Sequence, residues 1–385
     1  MSAPSTPVMR PWFGDEETAA VAEVLASGWV AQGPRVAAFE AAFAERVGAR
    51  HAIAVSSCTA GLHLALEAAG IGPGDEVVVP SLSFIATANA VRHVGARPVF
   101  ADVDPVSQNL TAATVAAVWT PSTTAVLVVH QAGMPADLDQ LAEYCGRRGL
   151  LLVEDAACAL GSSYRETPIG GHGRTAVFSF HPRKVITTGE GGMITTDDPV
   201  MATRLDRLRQ HGMSVSAAAR HASAQPVIEQ YLEVGYNFRL SDLQAAVGLV
   251  QLGRLDAIVE RRRHLAQRYR DRLTALDCVA VPGDPDYGRT NFQGFIVELG
   301  PGFATGRNEV LGVLAAAGIS ARRGIMAIHR EPAYRDHGHG PLPVTEHLSD
   351  QTLILPIFHQ LDETEVDRIA EVVINAAHGR QRIAA

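Results

Sequence analysis

The chain of 385 residues contains one lysine, Lys184, and its other 32 basic residues are all arginine. Arginine can replace lysine wherever only positive charge is needed. A guanidinium does not deprotonate in proteins, however, so it cannot attack a carbonyl group as a neutral amine. A single retained lysine is therefore a candidate for Schiff-base chemistry. A leftover surface lysine without a role is the alternative that the count alone leaves open.

The residues around Lys184 favour a chemical role for this lysine over a surface position without a role. Two short apolar runs of β character, residues 176–180 and 193–196, flank the lysine, and Gly189, Gly191 and Gly192 lie between it and the second run. Glycine allows the backbone to approach a ligand closely. The sequence therefore predicts that Lys184 stands on a ligand-binding loop between two strands.

Two further groups could bind the phosphate of pyridoxal phosphate, a cofactor that forms Schiff bases with lysine. Cys58, Thr59 and Ala60 fall between a predicted strand and a predicted helix, where backbone N–H groups and the Thr59 hydroxyl can hold a phosphate. Ser179, five residues before the lysine, could add a second hydroxyl. A simple helix N-cap is the structural alternative for the first group.

The cofactor ring has its own requirements. Asp155, at the end of a predicted strand 29 residues before Lys184, could keep the pyridine nitrogen protonated so that the ring acts as an electron sink. Phe84 could stack on the ring. A structural aspartate and a core phenylalanine are the alternatives. No GxGxxG motif follows the first strand and there is no P-loop, so nicotinamide and nucleoside-triphosphate chemistry lack support.

The composition narrows the class of protein. Apolar residues make up 47% and charged residues 19%, and the net charge is −8, which favours a globular fold and argues against nucleic acid as a partner. Four cysteines without metal-ligand spacing predict a reducing compartment and no metal site. The sequence shows neither a signal peptide nor an apolar stretch of membrane length, so we expect a cytoplasmic protein with no membrane contact.

Strand-like and helix-like segments alternate through the first two thirds of the chain, which predicts a mainly parallel sheet covered by helices on both faces. In such α/β sheets, ligands bind at the carboxyl ends of the strands. We expect an arm at residues 1–14, a large domain at 15–255 and a smaller α+β domain at 256–385. A long helix over 241–272 is expected to break near Gly253, with a strand at 292–299 and a loop at 324–345.

The chain resembles the DegT/DnrJ/EryC1/StrS family of sugar aminotransferases, fold type I pyridoxal-phosphate enzymes, from about Gly28 to Asp367. The motifs that carry the resemblance are Gly33-Pro34, Phe39-Glu40, Gly74-Asp-Glu-Val-Val-Val-Pro80, Gly95-Ala-Arg-Pro-Val-Phe100, Glu154-Asp-Ala-Ala157, Phe178-Ser-Phe-His-Pro-Arg-Lys184, Gly189-Glu-Gly-Gly192, His211-Gly-Met213 and Gly235-Tyr-Asn-Phe-Arg239.

This resemblance assigns roles to the candidate residues. It implies that Lys184 forms the Schiff base with pyridoxal phosphate, that Asp155 pairs with the ring nitrogen and that Phe84 stacks on the ring. It also implies that Thr59 and Ser179 bind the phosphate. Asn237 is implied to reach the same phosphate from a second subunit, which makes the protein a homodimer with shared active sites.

The chain also departs from the family pattern. Cys58 replaces the glycine of Ser-Gly-Thr, and Cys158 replaces a glutamine that usually approaches the phenolic oxygen of the cofactor. His181 lies in the lysine motif, and a substrate role and a structural role are both open for it. His329 lies in a stretch that resembles a family segment near the sugar site. Arg239 is a candidate anchor for an anionic substrate. Relatives that act as dehydratases carry histidine at the lysine position, so Lys184 favours transamination.

The resemblance predicts an aminotransferase that converts a nucleotide-linked keto sugar to an amino sugar, with glutamate as the amino donor. Our first choice of acceptor is the C4 ketone of a 6-deoxyhexose. A keto-cyclitol acceptor, a sugar dehydratase and a regulator that binds the cofactor without turnover are the alternatives.

Overall fold

The protein is described by a computed structural model that covers residues 6–215 and 225–379. Its strands in chain order are β1 (His51–Val55), β2 (Glu76–Pro80), β3 (Arg97–Ala101), β4 (Thr123–Val129), β5 (Leu151–Asp155), β6 (Ser163–Tyr164), β7 (Thr167–Pro168), β8 (Thr175–Ser179), β9 (Gly192–Thr196), β10 (Val279–Ala280), β11 (Gly288–Arg289), β12 (Phe295–Leu299), β13 (Arg322–Arg323) and β14 (Thr352–Leu355).

The described helices in chain order are α1 (Asp15–Ser27), α2 (Pro34–Val47), α3 (Cys58–Ala68), α4 (Ala86–His93), α5 (Ala112–Ala116), α6 (Leu138–Arg148), α7 (Pro199–Leu208), α8 (Asp242–Gly253), α9 (Leu255–Leu273), α10 (Arg307–Ala316), α11 (Pro343–Gln351) and α12 (Glu363–Ala377). Two 3-10 turns lie at Gln131–Gly133 and Ile328–Arg330. None of the helices in this part of the chain is both long and apolar enough to cross a membrane.

The main sheet has seven strands in the order β1-β9-β8-β5-β4-β2-β3. The five strands from β8 to β3 run parallel, and β9 is antiparallel to both of its neighbours. The strands are apolar on both faces because helices cover both sides. On one face α2 and α6 bury residues such as Phe39 and Leu141, and on the other α3, α4 and α7 bury residues such as Leu62 and Leu205. The predicted fold class is confirmed.

One buried carboxylate joins two helices of the main domain. Asp242, the first residue of α8, is 1% exposed, and its side chain accepts hydrogen bonds from the backbone N–H groups of Gly33 (2.8 Å), Val36 (3.0 Å) and Arg35 (3.0 Å). These groups lie at the start of α2, where the first turn has no partners within its own helix. Asp242 therefore caps α2 from a distance of more than 200 residues along the chain.

The C-terminal part forms a smaller antiparallel sheet in the order β10-β12-β14-β13, packed against α9, α10 and α12 around a separate apolar core. A third sheet, β11-β6-β7, pairs a strand of this part with two short strands that follow β5. The chain start also lies against the C-terminal part, because Thr6 N donates to Gly318 O (2.8 Å) and Ile357 N donates to Val8 O (3.3 Å). The domain boundaries at 14 and 255 stay a prediction.

The predicted elements differ from the structure mainly in the C-terminal part. The expected helix break near Gly253 is confirmed, since α8 ends there and α9 starts at Leu255. The strand expected over 292–299 begins only at Phe295, because Phe292 has a positive φ of 49° that no strand accommodates. The segment 324–345 is not wholly a loop, since it contains the 3-10 turn Ile328–Arg330 and the start of α11.

Candidate active site

Lys184 follows β8 in a turn closed by its own N–H, which donates to His181 O at 2.8 Å. Its Nζ donates to Cys158 Sγ at 3.1 Å, and the residues that the structure describes place no carboxylate in ion-pair contact with it. Burial by itself lowers the pKa of the lysine. The sulfurs of Cys158 and Cys58 and the carboxylate of Asp155 outweigh that effect, so the pKa lies above its ordinary value. Lys184 is thus a recessed amine rather than a surface charge.

Asp155 ends β5 and is 5% exposed. Its Oδ1 accepts a hydrogen bond from Ala157 N (3.1 Å), and its Oδ2 accepts one from Thr87 Oγ1 (2.9 Å). Burial raises the pKa of this carboxyl, while the two hydrogen bonds and the nearby Lys184 oppose the shift. A buried carboxylate beside a recessed amine is the pair of groups that the sequence predicted for the ring and the aldehyde of the cofactor.

The predicted phosphate cradle is the first turn of α3. Ser57 is its N-cap, and Ser57 Oγ accepts from Ala60 N at 3.1 Å. The N–H groups of Cys58 and Thr59 belong to the helix turn that has no intrahelical acceptors, so they can bind an anion. A Cβ on Gly192 of β9 would lie 2.8 Å from Cys58 N, so only glycine permits this close packing of strand and helix start. Ser179 ends β8, the strand next to β9.

Cys58 lies close to the other reactive groups. Burial raises the pKa of its thiol well above the ordinary value, and the nearby Asp155 raises it further. The Sγ of Cys58 is 3.8 Å from Val177 O, to which it donates a weak hydrogen bond. Cys58 is therefore a neutral thiol at physiological pH. It fills space between the helix start and the sheet and does not act as a nucleophile.

Two predicted cofactor contacts lie at the surface of the monomer. Phe84 follows β2 and is 61% exposed, so its ring is free to cover a flat ligand. Asn237 is exposed as well. The carbonyl oxygen of its neighbour Phe238 accepts a hydrogen bond from Ser56 N (2.8 Å). The backbone of Arg239 forms an isolated antiparallel β-bridge with Val55. The segment that carries Asn237 and Arg239 is thus fixed beside the phosphate cradle of its own chain.

The two candidate substrate histidines have different surroundings. His181 is half-buried, its Nδ1 accepts from Arg183 N (3.2 Å), and its Nε2 lies 4.0 Å from Glu190 Oε1. His329 is 4% exposed, with Nδ1 2.7 Å from Ser81 Oγ and Nε2 3.2 Å from Glu346 Oε1. Burial is the main cause that lowers the pKa of each imidazole. His181 remains accessible to a substrate, whereas His329 is engaged with protein groups on both sides.

These groups fit pyridoxal phosphate. The cofactor needs an amine for its aldehyde, a carboxylate for its ring nitrogen and N–H and hydroxyl donors for its phosphate. Lys184, Asp155 and the start of α3 supply them from three neighbouring parts of one sheet edge. Cys158, beside the lysine amine, offers only a weak thiol donor where a glutamine would offer an amide.

Several supporting residues escaped the sequence analysis. Thr87, in the first turn of α4, binds Asp155, and Ser83 binds Thr87. Asn291 is fully buried, and its Nδ2 donates to Cys158 O and Leu160 O at 2.8 Å each. The polar run Ser81-Leu-Ser83 at a strand end was a visible sign of a site. Thr87, within a helix, and Asn291, far along the chain, gave no such sign.

Comparison with known proteins agrees with this geometry. A family model described as the DegT/DnrJ/EryC1/StrS aminotransferase family matches residues 11–374. The aminotransferase TlmJ from Streptoalloteichus hindustanus is 38% identical, with 97% of this chain and 99% of that chain covered and a TM-score of 0.89. DesI, solved in the presence of its TDP-sugar product, is 34% identical, with 99% and 95% covered and a TM-score of 0.89.

A third similar structure is that of Spr1654 from Streptococcus pneumoniae in its PMP-form. It is 26% identical, with 98% of this chain and all of that chain covered and a TM-score of 0.91. The match of the family model spans nearly the whole chain and includes Asp155 and Lys184. The chain therefore belongs to the DegT/DnrJ/EryC1/StrS aminotransferase family and is a pyridoxal-phosphate-dependent aminotransferase.

Proposed function

We propose that the protein transfers the amino group of glutamate to a nucleotide-linked keto sugar, with the C4 ketone of a 6-deoxyhexose as the preferred acceptor. The observation that carries the proposal is a pair of exposed arginines close to the lysine loop, Arg183 and Arg322. Neither forms an ion pair with a carboxylate within the described residues. A diphosphate is the group that two such guanidinium ions bind well.

The arginines are close enough to affect each other. Partial burial is the main cause that lowers the pKa of Arg183, and the positive charge of Arg322 is the second. Arg322 also lowers the pKa of His181. Like charges held together without a counter-ion favour an anionic ligand, because that ligand relieves their repulsion. Arg239, on the segment beside the phosphate cradle, is a third candidate anchor.

In this proposal each residue has a chemical task. Pyridoxal phosphate, when bound, withdraws electrons from the substrate carbon that carries the amine. Lys184, once free as an amine, would accept the proton of that carbon as a general base and deliver it, as a general acid, to C4′, the aldehyde carbon of the cofactor. Asp155 holds the ring nitrogen, and Phe84 covers the ring. Thr59, Ser179 and the N–H groups of α3 hold the phosphate.

We further propose that two copies of the chain form a homodimer with shared sites. Four exposed apolar residues precede Asn237 on its segment, namely Ile228, Tyr231, Leu232 and Val234. Such a patch is typical of an association surface. A second copy is the occupant that the family resemblance implies, and Asn237 would then contact the phosphate held by the partner.

Steady-state kinetics with three acceptors test the proposed substrate. With glutamate as donor, we expect the highest kcat/KM for the nucleotide-diphosphate 4-keto-6-deoxyhexose, compared with the free keto sugar and a keto-inositol. Mass spectrometry of the product identifies the aminated carbon. A higher kcat/KM for the keto-inositol would replace the nucleotide-sugar proposal with the cyclitol alternative, and a product aminated at C3 would change only the position.

Adjacent arginines of β13 provide a matched pair of variants. Arg322→Gln should raise the KM for the nucleotide-linked acceptor about tenfold or more, the loss of one charge-assisted hydrogen bond. Arg323→Gln should leave this KM nearly unchanged, because Arg323 already forms an ion pair with Glu331 (Nη2–Oε1 3.1 Å). If both substitutions changed the KM for the nucleotide-linked acceptor equally, the proposal that Arg322 binds the diphosphate would be wrong.

A further inference from the structure

A relay of two buried hydroxyl groups ends on the carboxylate of Asp155. Ser83 Oγ lies 2.8 Å from Thr87 Oγ1, and Thr87 Oγ1 lies 2.9 Å from Asp155 Oδ2. The exposed fractions of Ser83 and Thr87 are 2% and 1%, so water does not compete for these bonds. Ser83 lies just before Phe84, and Thr87 lies in the first turn of α4.

The direction of the relay depends on the charge of Asp155. An ionised carboxylate can only accept, so Thr87 must then donate to Asp155, and Ser83 must donate to Thr87. A protonated carboxyl could donate instead, and both hydroxyl groups could turn round. The relay with its donors pointing to Asp155 therefore favours the carboxylate form, and it opposes the burial that raises the pKa of this group.

The outer end of the relay is fixed by the C-terminal part of the chain. Ser83 N donates to Met326 O (3.2 Å), and Ile328 N donates to Ser81 O (2.7 Å). Between these two bonds, Leu82 and Ala327 form an isolated antiparallel β-bridge. Ser81 also binds His329 through its side chain. Segment 81–83 thus continues β2 as a short strand-like contact with segment 326–329. The backbone of Ser83 is fixed by the hydrogen bond of its own N–H and by the contacts of Ser81 and Leu82. Its hydroxyl group therefore has a defined position.

We propose that Thr87, oriented by Ser83, is a positioning residue that keeps Asp155 as a carboxylate and thereby keeps the ring nitrogen of the bound cofactor protonated. A carboxylate that accepts a hydrogen bond from a hydroxyl is a weaker base, so the shared proton stays on the pyridine nitrogen. Without the hydroxyl, Asp155 becomes the stronger base and draws the proton from the ring. The other titratable groups near Asp155 are Lys184, Cys58 and His130.

The test compares three variants. Thr87→Val removes the hydroxyl at nearly constant volume, Thr87→Ser keeps it, and Ser83→Ala removes only the outer member. Each variant is reconstituted with pyridoxal phosphate labelled with ¹⁵N in the ring, and the ¹⁵N chemical shift is followed across pH. We expect a protonated ring nitrogen in the native enzyme and in Thr87→Ser, a largely deprotonated one in Thr87→Val and an intermediate state in Ser83→Ala.

Kinetics give a second readout. Thr87→Val should lower kcat by about 10- to 100-fold, which corresponds to one hydrogen bond to a charged group, while the KM for the amino donor changes little. Thr87→Ser should restore most of the rate. A ¹⁵N signal in Thr87→Val identical to that of the native enzyme would overturn the proposal.

Circular dichroism shows whether Thr87→Val folds. If it does not, the ¹⁵N signal of Ser83→Ala tests the proposal instead, and a signal identical to that of the native enzyme would overturn the proposal. The ring signal is read without any sugar. A failure of this inference can therefore be told apart from a failure of the proposed acceptor.

Discussion

Lys184 Nζ lies 3.1 Å from Cys158 Sγ, so the one lysine of the chain has a thiol as its immediate partner. A carboxylate in that place would hold the amine in a salt bridge and compete with its bond to the cofactor. A thiol makes only a weak hydrogen bond. The arrangement leaves the amine anchored when the site is free and easy to release when an aldehyde arrives.

Lys184 should be the only residue that carries the cofactor. Borohydride reduction of the holoenzyme followed by peptide mass spectrometry should place a pyridoxyl group on the peptide that contains Lys184. No other lysine occurs in the sequence, so no other side chain in it can form this adduct. Lys184→Arg should keep the charge and abolish turnover. Cofactor that remains bound after reduction without this adduct would contradict the assignment.

Cys158 should be dispensable for the chemistry. Its sulfur is only a weak partner for the Lys184 amine, so Cys158→Gln should change kcat by about tenfold or less in either direction, equivalent to a hydrogen bond of roughly 0.5–1.5 kcal/mol. Cys58→Gly is the matched control at the second thiol beside the site. A loss of about a thousandfold or more in Cys158→Gln would show that the thiol takes part in the reaction.

Asn237 should act on the site of the partner subunit. Inactive Lys184→Ala mixed with Asn237→Ala should regain activity, because a hybrid dimer with shared sites contains one site in which both residues are native. Subunit exchange is verified by native mass spectrometry of differently tagged chains. Hybrid dimers that form without any recovery of activity would show that Asn237 acts within its own chain.

Asp242 should be essential for stability rather than for catalysis. Asp242→Ala leaves three N–H groups at the start of α2 without acceptors, and two of them, those of Gly33 and Val36, are buried. Each buried one costs about 1–3 kcal/mol, so the substitution should lower the free energy of unfolding by at least about 2 kcal/mol. Asp242→Asn keeps one acceptor oxygen and should cost less. Chemical denaturation with cofactor bound measures both, and equal stability of the two variants would contradict the capping role.

The sequence was informative where function requires unusual residue types. The retained lysine, the aspartate at a strand end and the Ser-Cys-Thr run before a helix all fall on the predicted elements, because parallel strands bring their carboxyl ends to one edge. The alternation of apolar strands and helices likewise predicted the main sheet.

Contacts between distant parts of the chain could not be predicted in this way. Thr87 looks like any helical threonine until the fold brings it to Asp155, and Asn291 lies 133 residues after the carbonyl that it braces. Phe292 breaks its strand because the backbone turns at a positive φ, a conformation that a phenylalanine does not signal. Tertiary packing decided these features, and local propensity did not.

The brace between Asn291 and the Cys158 loop has a consequence for how the enzyme is made. A Cβ on Gly133 would lie 1.9 Å from Asn291 Oδ1, so the loops of β4 and β5 are shaped around a side chain that is synthesised much later. Segment 326–329, which holds Ser83, comes later still. During translation the main sheet can assemble once β9 has emerged, whereas the walls of the cofactor pocket can close only after Asn291 and segment 326–329 have emerged. The cofactor pocket thus takes its final shape later in synthesis than the sheet that carries it.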